Sequence, residues 1–274
     1  MVVMATKEKK LLLLLSVTAI FLAVSRITYT QEMTSSVGEA PVIAIFYSSS
    51  TRNNYINLGW DYEEYIGYIK KNMDSINIKY EMISTIDVAN LIGKYKLIIL
   101  PNVRNMSYEE AKGVNKYVEA GGKIFATYQT SFRNESDEYY LDPITGLRNF
   151  MLSEVFCVKF VSWVGMPPKC AYIKFVDDIE PTHPIRKGLR DSVRVFRYTS
   201  MEVSRVDNDR GKVLAVWYDE DKVTPSFPQE ANISLIEGNN CIYCSEDLFA
   251  PENVHNKYVK RLIKNIIEYL LIQK

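Results

Sequence analysis

The apolar positions of this chain fall into two alternating kinds of run. Val42-Ile-Ala-Ile-Phe-Tyr47 and Leu97-Ile-Ile-Leu100 are short and continuous, as in strands covered on both faces. Between and after them, apolar residues recur at helical spacing. Tyr62, Tyr65, Ile66, Ile69 and Met73 predict one helix, and Ala111, Val114, Tyr117 and Val118 predict another. Ser107 is placed to cap the second, with Glu110 three residues on as in a capping box, and Gly121-Gly122 ends it before a strand over residues 123–127. Residues 78–83 predict a further strand and residues 87–92 a short helix. Strands alternating with helices at this spacing imply right-handed crossovers and a mostly parallel sheet flanked by helices, so the fold class is α/β.

The second half is less regular. Residues 143–155 predict a helix, and residues 158–164, 171–176, 193–198 and 213–218 predict strands, some of them antiparallel additions. Residues 240–245 return to the sheet. The last helix has the clearest pattern, with Val259, Leu262, Ile263, Ile266, Ile267 and Leu270 on one face and Lys257, Lys260 and Lys264 on another.

The first 25 residues read as a targeting element. Lys7, Lys9 and Lys10 precede an apolar run from Leu11 to Val24, and these roughly 14 residues fit a signal-peptide core better than a span, which needs roughly 20. Ala23 and Ser25 supply the small residues of a cleavage site. An uncleaved anchor from Leu11 to Tyr29 is the alternative. Residues 26–40 read as a linker, which leaves residues 41–274 as one folded domain. The expectation is a secreted or extracytoplasmic protein that meets a membrane only through its N-terminus.

Composition narrows the partners. Lys plus Arg and Asp plus Glu number 33 each, and the formal charge of zero offers no electrostatic basis for following a nucleic-acid backbone. Export permits disulfides among Cys157, Cys170, Cys241 and Cys244. Cys241 and Cys244 lie three apart on a predicted strand and so face opposite sides, as buried thiols; Cys157 with Cys170 is the candidate bridge. Asn105, Asn134 and Asn232 begin Asn-x-Ser sequons in expected loops.

The segments Tyr95-Lys-Leu-Ile-Ile-Leu-Pro-Asn102, Ser107-Tyr-Glu-Glu110 and Tyr117-Val-Glu-Ala-Gly-Gly-Lys-Ile-Phe-Ala-Thr127 resemble the class I glutamine amidotransferase-like domains. Among these are the trimerisation domain of family 42 beta-galactosidases and the trehalose-utilisation family. Thr182-His-Pro-Ile-Arg-Lys-Gly-Leu189 and Gly238-Asn-Asn-Cys-Ile-Tyr243 follow in the same order. The resemblance implies a flavodoxin-like plan, and it raises homo-oligomerisation and a carbohydrate-related role.

Catalytic members of that superfamily carry a nucleophile on a strained strand-to-helix elbow whose neighbours are very small. Here the segment is Ala126-Thr-Tyr-Gln-Thr-Ser131, without cysteine or flanking glycine. Thr130 or Ser131 with His183 is the one enzymatic alternative, in a divergent hydrolase or amidotransferase-like enzyme, and it requires those side chains to meet. Asp177, Asp178 and Glu180 read as a solvated turn; no metal or cofactor is implied. Ligand-binding candidates come from three loops expected at the carboxyl edge of the sheet: residues 48–59 with Arg52, Asn53 and Asn54, residues 102–106 with Arg104, and residues 128–138 with Tyr128, Gln129 and Arg133. Paired amide and guanidinium donors beside an aromatic face suit a hydroxyl-rich ligand such as a sugar.

Overall fold

The structure is a computed structural model that describes residues 42–273 apart from 85, 87–90, 165–169, 197–199 and 208. The expected targeting segment and linker, and residues 87–90 of the expected short helix, lie outside the described residues.

The chain runs β1 (Ile43–Phe46), α1 (Ser49–Asn57), α2 (Tyr62–Ser75), β2 (Glu81–Ile83), β3 (Leu97–Leu100), α3 (Tyr108–Glu119), β4 (Lys123–Thr127) and α4 (Ser153–Phe156). It continues through β5 (Val158–Val164), β6 (Cys170–Phe175), β7 (Ser192–Phe196), β8 (Ser200–Arg205), β9 (Lys212–Tyr218), β10 (Ile233–Gly238) and β11 (Cys241–Cys244) to α5 (Lys257–Ile272). A nine-stranded sheet has the order β2-β1-β3-β4-β11-β10-β9-β6-β7, and β5 pairs with β8 in a separate ribbon. Neighbours from β2 to β11 pair in parallel, whereas those from β11 to β7 are antiparallel.

Each central strand feeds two cores because successive side chains face opposite ways. Ile43, Ile45, Leu97, Ile99, Phe125 and Ile242 pack beneath α2 and α5. Ala44, Phe46, Ile98, Leu100, Ile124 and Tyr243 pack on the other side, with Val114 and Tyr117 of α3. Ser107 and Glu110 close the expected capping box. Asn256 caps α5 by accepting from the N–H groups of Tyr258 and Val259.

Four expectations need correction. Residues 48–59 are mostly helix α1, because Ser48 accepts from Thr51 N–H as N-cap and buries Thr51, Asn54 and Tyr55. Residues 143–155 do not form one helix: Asp142 Oδ1 accepts from the N–H groups of Ile144 and Thr145, and Gly146 takes a φ of 69°, so a tight turn replaces all but the short α4. Cys157, in a left-handed conformation at the end of α4, is a buried free thiol, so the bridge to Cys170 is not formed. Asn105 and Asn232 are buried, with their amides bonded to Asp137 and Trp217, which leaves Asn134 as the one part-exposed sequon. Cys241 and Cys244 follow the sequence reading, entering opposite cores as free thiols.

Gly122, at the turn into β4, explains why that turn contains a second glycine. A β-carbon there would stand 2.3 Å from the Tyr117 ring, and Tyr117 cannot yield because it is buried and its hydroxyl donates to Tyr95 O at 2.9 Å. Gly122→Ala should therefore destabilise the fold by roughly 1–3 kcal/mol through overpacking. Urea titration of both proteins checks this, and an unchanged midpoint would refute it.

Candidate functional site

The order of the parallel strands reverses between β1 and β3, since the chain leaves β1 for β2 on one side and reaches β3 on the other. Loops beyond the carboxyl ends of these strands diverge and leave a crevice, the usual ligand position in an open α/β sheet. A cleft of about 700 Å³ opens there.

One wall comes from α1, α2 and their connection. Tyr55 is carried by the capped helix α1, and Gly59, with a φ of 74°, turns the chain so that Trp60 N–H donates to Tyr55 O at 2.8 Å. The Trp60 ring meets Tyr55 edge-on at 5.4 Å and is 55% exposed, so its face is open to a ligand. Asp61 caps α2, whose first turns bring Glu64, Tyr65 and Tyr68 to the cleft; Tyr68 donates to Glu64 at 2.7 Å.

The floor consists of the residues that follow β3, β4 and β11. Asn102 and Tyr128 follow neighbouring strands and both adopt left-handed conformations, with φ of 44° and 53°. Asn102 N–H donates to Thr127 Oγ1 at 3.0 Å and Tyr128 N–H to Cys244 O at 2.7 Å, so each turn is tied to the adjacent strand. Tyr128 thus stands in a strained conformation immediately beyond the end of β4. Arg104, Gln129, Glu246 and Asp247 complete the lining, with Ala250 and Pro251 at its border.

Asp247 is buried at 6% exposure, and burial pushes its carboxyl up to about 6. Hydrogen bonds from Tyr65 Oη at 2.9 Å, Phe249 N–H at 3.0 Å and Asn102 Nδ2 at 3.4 Å oppose that rise. Burial, reinforced by Asp247, raises the Tyr65 hydroxyl well above its ordinary value, so it remains a donor. Burial lowers the Arg104 guanidinium, as does nearby Arg133. Two buried atoms of the lining have no protein partner: Oδ1 of Asn102 and Nε of Arg104.

Of the seven binding candidates, the cleft gathers Arg104, Tyr128 and Gln129. Arg52 points into an adjoining recess, where it pairs with Glu63 at 3.1 Å. Asn53 is exposed on α1, whereas Asn54 is buried in it. Arg133 lies 3.8 Å from the Tyr139 ring centroid and donates to Asp137 O. Sequence reasoning missed Trp60, Asp61, Glu64, Tyr68 and Asp247, and it assigned Tyr65 to the core alone. The alternation of Trp, Tyr and carboxylates from Trp60 to Tyr68 was the available signal.

The hydroxyl–histidine alternative does not assemble. Thr130 and Ser131 are buried beyond the ends of β3 and β4, where Thr130 Oγ1 accepts from Val103 N–H and Ser131 Oγ accepts from Leu152 N–H. His183 accepts from Ile185 N–H and packs on Tyr269 of α5, under the opposite face of the sheet. Tyr269 in turn donates to Glu237, opposite Ile242 near the amino end of β11. Asp177, Asp178 and Glu180 are exposed around buried Ile179, and His255 is exposed before α5.

Residues 47–176 match the model of the beta-galactosidase trimerisation domain. No curated protein sequence matches the chain. Among solved structures, a cold-adapted beta-galactosidase from Rahnella sp. R3 superposes with a TM-score of 0.62 at 16% identity, over 85% of this chain and 32% of that one. The beta-galactosidase from Bacillus circulans sp. alkalophilus gives 0.57 at 20% identity, again over 85% and 32%. A ThuA-like protein from Bacteroides uniformis ATCC 8492 gives 0.55 at 14% identity, over 87% of this chain and 95% of that one. This chain therefore corresponds to about a third of the galactosidases and to nearly the whole of the ThuA-like protein. The resemblance read from the β3-to-β4 segments is thereby shown, and at these identities the structural likeness is one of fold.

The raised carboxyl of Asp247 has a signed consequence. Its folded value of about 6 exceeds the ordinary 3.8, so the native state holds a proton that the unfolded chain releases between those values. The stabilisation is fully present below about pH 4 and is lost as pH climbs through about 6. Relative to Asp247→Asn, the native protein should lose about 3 kcal/mol of unfolding free energy over that window, since each step of one in pH between the two values costs about 1.4 kcal/mol. Urea unfolding of both proteins from pH 4 to pH 7 reads this directly, and parallel curves would contradict it.

Proposed function

We propose that the folded region is a non-catalytic amidotransferase-like module on the flavodoxin-like plan, and that its cleft recognises a hydroxyl-rich, carbohydrate-type ligand. The cleft itself carries the reading. Exposed Trp60 and half-exposed Tyr68 line it together with the polar side chains of Asn102, Arg104 and Gln129. A hydroxyl both donates and accepts, so one sugar ring can meet amide and guanidinium groups while stacking on an aromatic face. The lack of a cysteine in the segment from Ala126 to Ser131 and the separation of His183 from Thr130 and Ser131 support binding without turnover. The β2-β1-β3-β4-β11 order supports the flavodoxin-like assignment.

The match to a trimerisation domain supports a homo-oligomer as part of the same proposal. A candidate contact patch exists where the Asp142 turn holds out Leu141, Ile144 and Leu147, with Ile144 92% exposed. Export through the N-terminal apolar segment, by cleavage or as an anchor that would make the chain a membrane-attached subunit, completes the proposal. Among the described residues no helix is long and apolar enough to cross a membrane.

Calorimetric titration of the purified protein with monosaccharides and short oligosaccharides tests the central claim. Binding at millimolar strength or tighter is expected, with Trp60→Ala weakening it about tenfold, equivalent to about 1.4 kcal/mol. No binding across the sugars, or binding indifferent to Trp60, would reject the reading.

A further inference from the structure

The recess that holds Arg52, about 360 Å³ in volume, adjoins the cleft and shares two residues with it, Trp60 and Asp61. Both shared residues are exposed, whereas Tyr55, Tyr65, Asn102, Tyr128 and Asp247 of the cleft are buried. The two spaces therefore meet at the open lip of the cleft and not on its floor. The ridge between them is set by the turn at Gly59 and by Asp61, which accepts from Glu64 N–H as it caps α2. Beyond the ridge the recess offers an apolar surface, exposed Ile56, and a polar pair. Arg52 Nε donates to Glu63 Oε1 at 3.1 Å, and the Tyr47 hydroxyl donates to the same oxygen at 2.5 Å. These bonds hold the pair in place and leave Glu63 Oε2 and the terminal nitrogens of Arg52 without a hydrogen-bond partner among the described residues.

We propose that the ligand is an oligosaccharide of two or more linked rings, one seated in the cleft and the next laid past Trp60 into the Arg52–Glu63 recess. This rests on the preceding reading that the cleft takes a carbohydrate-type ligand, and it specifies that the ligand is a chain. An exposed recess holds a free ring poorly, because few contacts there offset the translational and rotational freedom lost on binding. A ring linked to one already in the cleft has surrendered that freedom once, and it meets the recess at a high effective concentration. Small contacts then count. Ile56 offers apolar surface to the C–H face of the second ring, while Arg52 and Glu63 offer donors and an acceptor to its hydroxyls. Trp60, at the junction, is within reach of rings on either side. A purely apolar partner could cover Ile56 and Trp60, but it would strip water from the Arg52–Glu63 pair and return no hydrogen bonds.

The test is calorimetric titration of the full protein with the monomer, dimer and tetramer of three series, derived from cellulose, starch and β-galactan. In at least one series the tetramer should bind at least about tenfold more tightly than its monosaccharide, equivalent to about 1.4 kcal/mol. That exceeds the statistical gain of offering repeated rings to a single site. Arg52→Ala and Ile56→Ala, at surface positions where substitution changes stability little, should each cut the gain while leaving monosaccharide binding within about twofold. Trp60→Ala should weaken single rings and chains alike. Equal affinity of a monosaccharide and its oligomers in every series that binds, or a gain that survives both recess substitutions, overturns the chain assignment and leaves the sugar reading standing. Failure of every sugar to bind overturns both.

Discussion

Tyr128 holds a left-handed backbone conformation that costs a side chain with a β-carbon about 1–2 kcal/mol, and the bonds around it keep it there. Its N–H reaches across to Cys244 O, and its own carbonyl accepts from the Tyr243 hydroxyl at 2.6 Å. Both contacts come from β11, so the fourth and fifth parallel strands lock the turn from one side. From the other side Asn102, also left-handed, leans on Thr127. If either strand moved, the two turns would relax and the floor of the cleft would lose its shape. The site is thus a product of strand register more than of any loop. This explains why its floor is built from residues immediately beyond strand ends.

The same dependence explains what could be read from the chain. The parallel half was legible because its signals are local: continuous apolar strands, the Ser107–Glu110 capping box, and the Gly121-Gly122 turn whose second glycine faces the Tyr117 ring. Helix α1 was not legible as a helix. It buries Thr51, Asn54 and Tyr55 without an apolar stripe and is held by tertiary bonds from Ser48 and Thr51 to the backbone of Asn105. The turn at Asp142 defeated the helix expected over 143–155 for a related reason, since a side-chain acceptor captured the N–H groups that a helix would have used. Strand β8 went unread because its partner β5 is remote in the chain, and β10, although it forms a hairpin with β11, because its alternation is imperfect; β10 meets β9 through an irregular register.

In the cleft, the residues after β3 and β4 were legible, whereas the acidic and aromatic wall was not. Tyr65 has the spacing of a core residue and is one, yet its hydroxyl also grips Asp247, 182 residues away in the chain. No pattern local to either residue announces that meeting. Asp247 follows the final strand in a stretch that reads as an ordinary connection, and only its burial reveals a carboxyl displaced from its usual behaviour.

Strand β11 has a further consequence, for the order in which the molecule becomes itself. Its partner β4 is completed more than a hundred residues earlier, with Cys241 opposite Ile124. Pairings of such high contact order form slowly, after local helices and turns have settled. Until the last part of the chain has been synthesised, β4 presents an unpaired apolar edge, the kind of template that recruits strands from other molecules. The nascent protein is therefore most prone to aggregate in the interval before its final strand arrives. Closing that edge and setting the Tyr128 turn are one event, so the binding-competent cleft and the aggregation-resistant sheet come into being together.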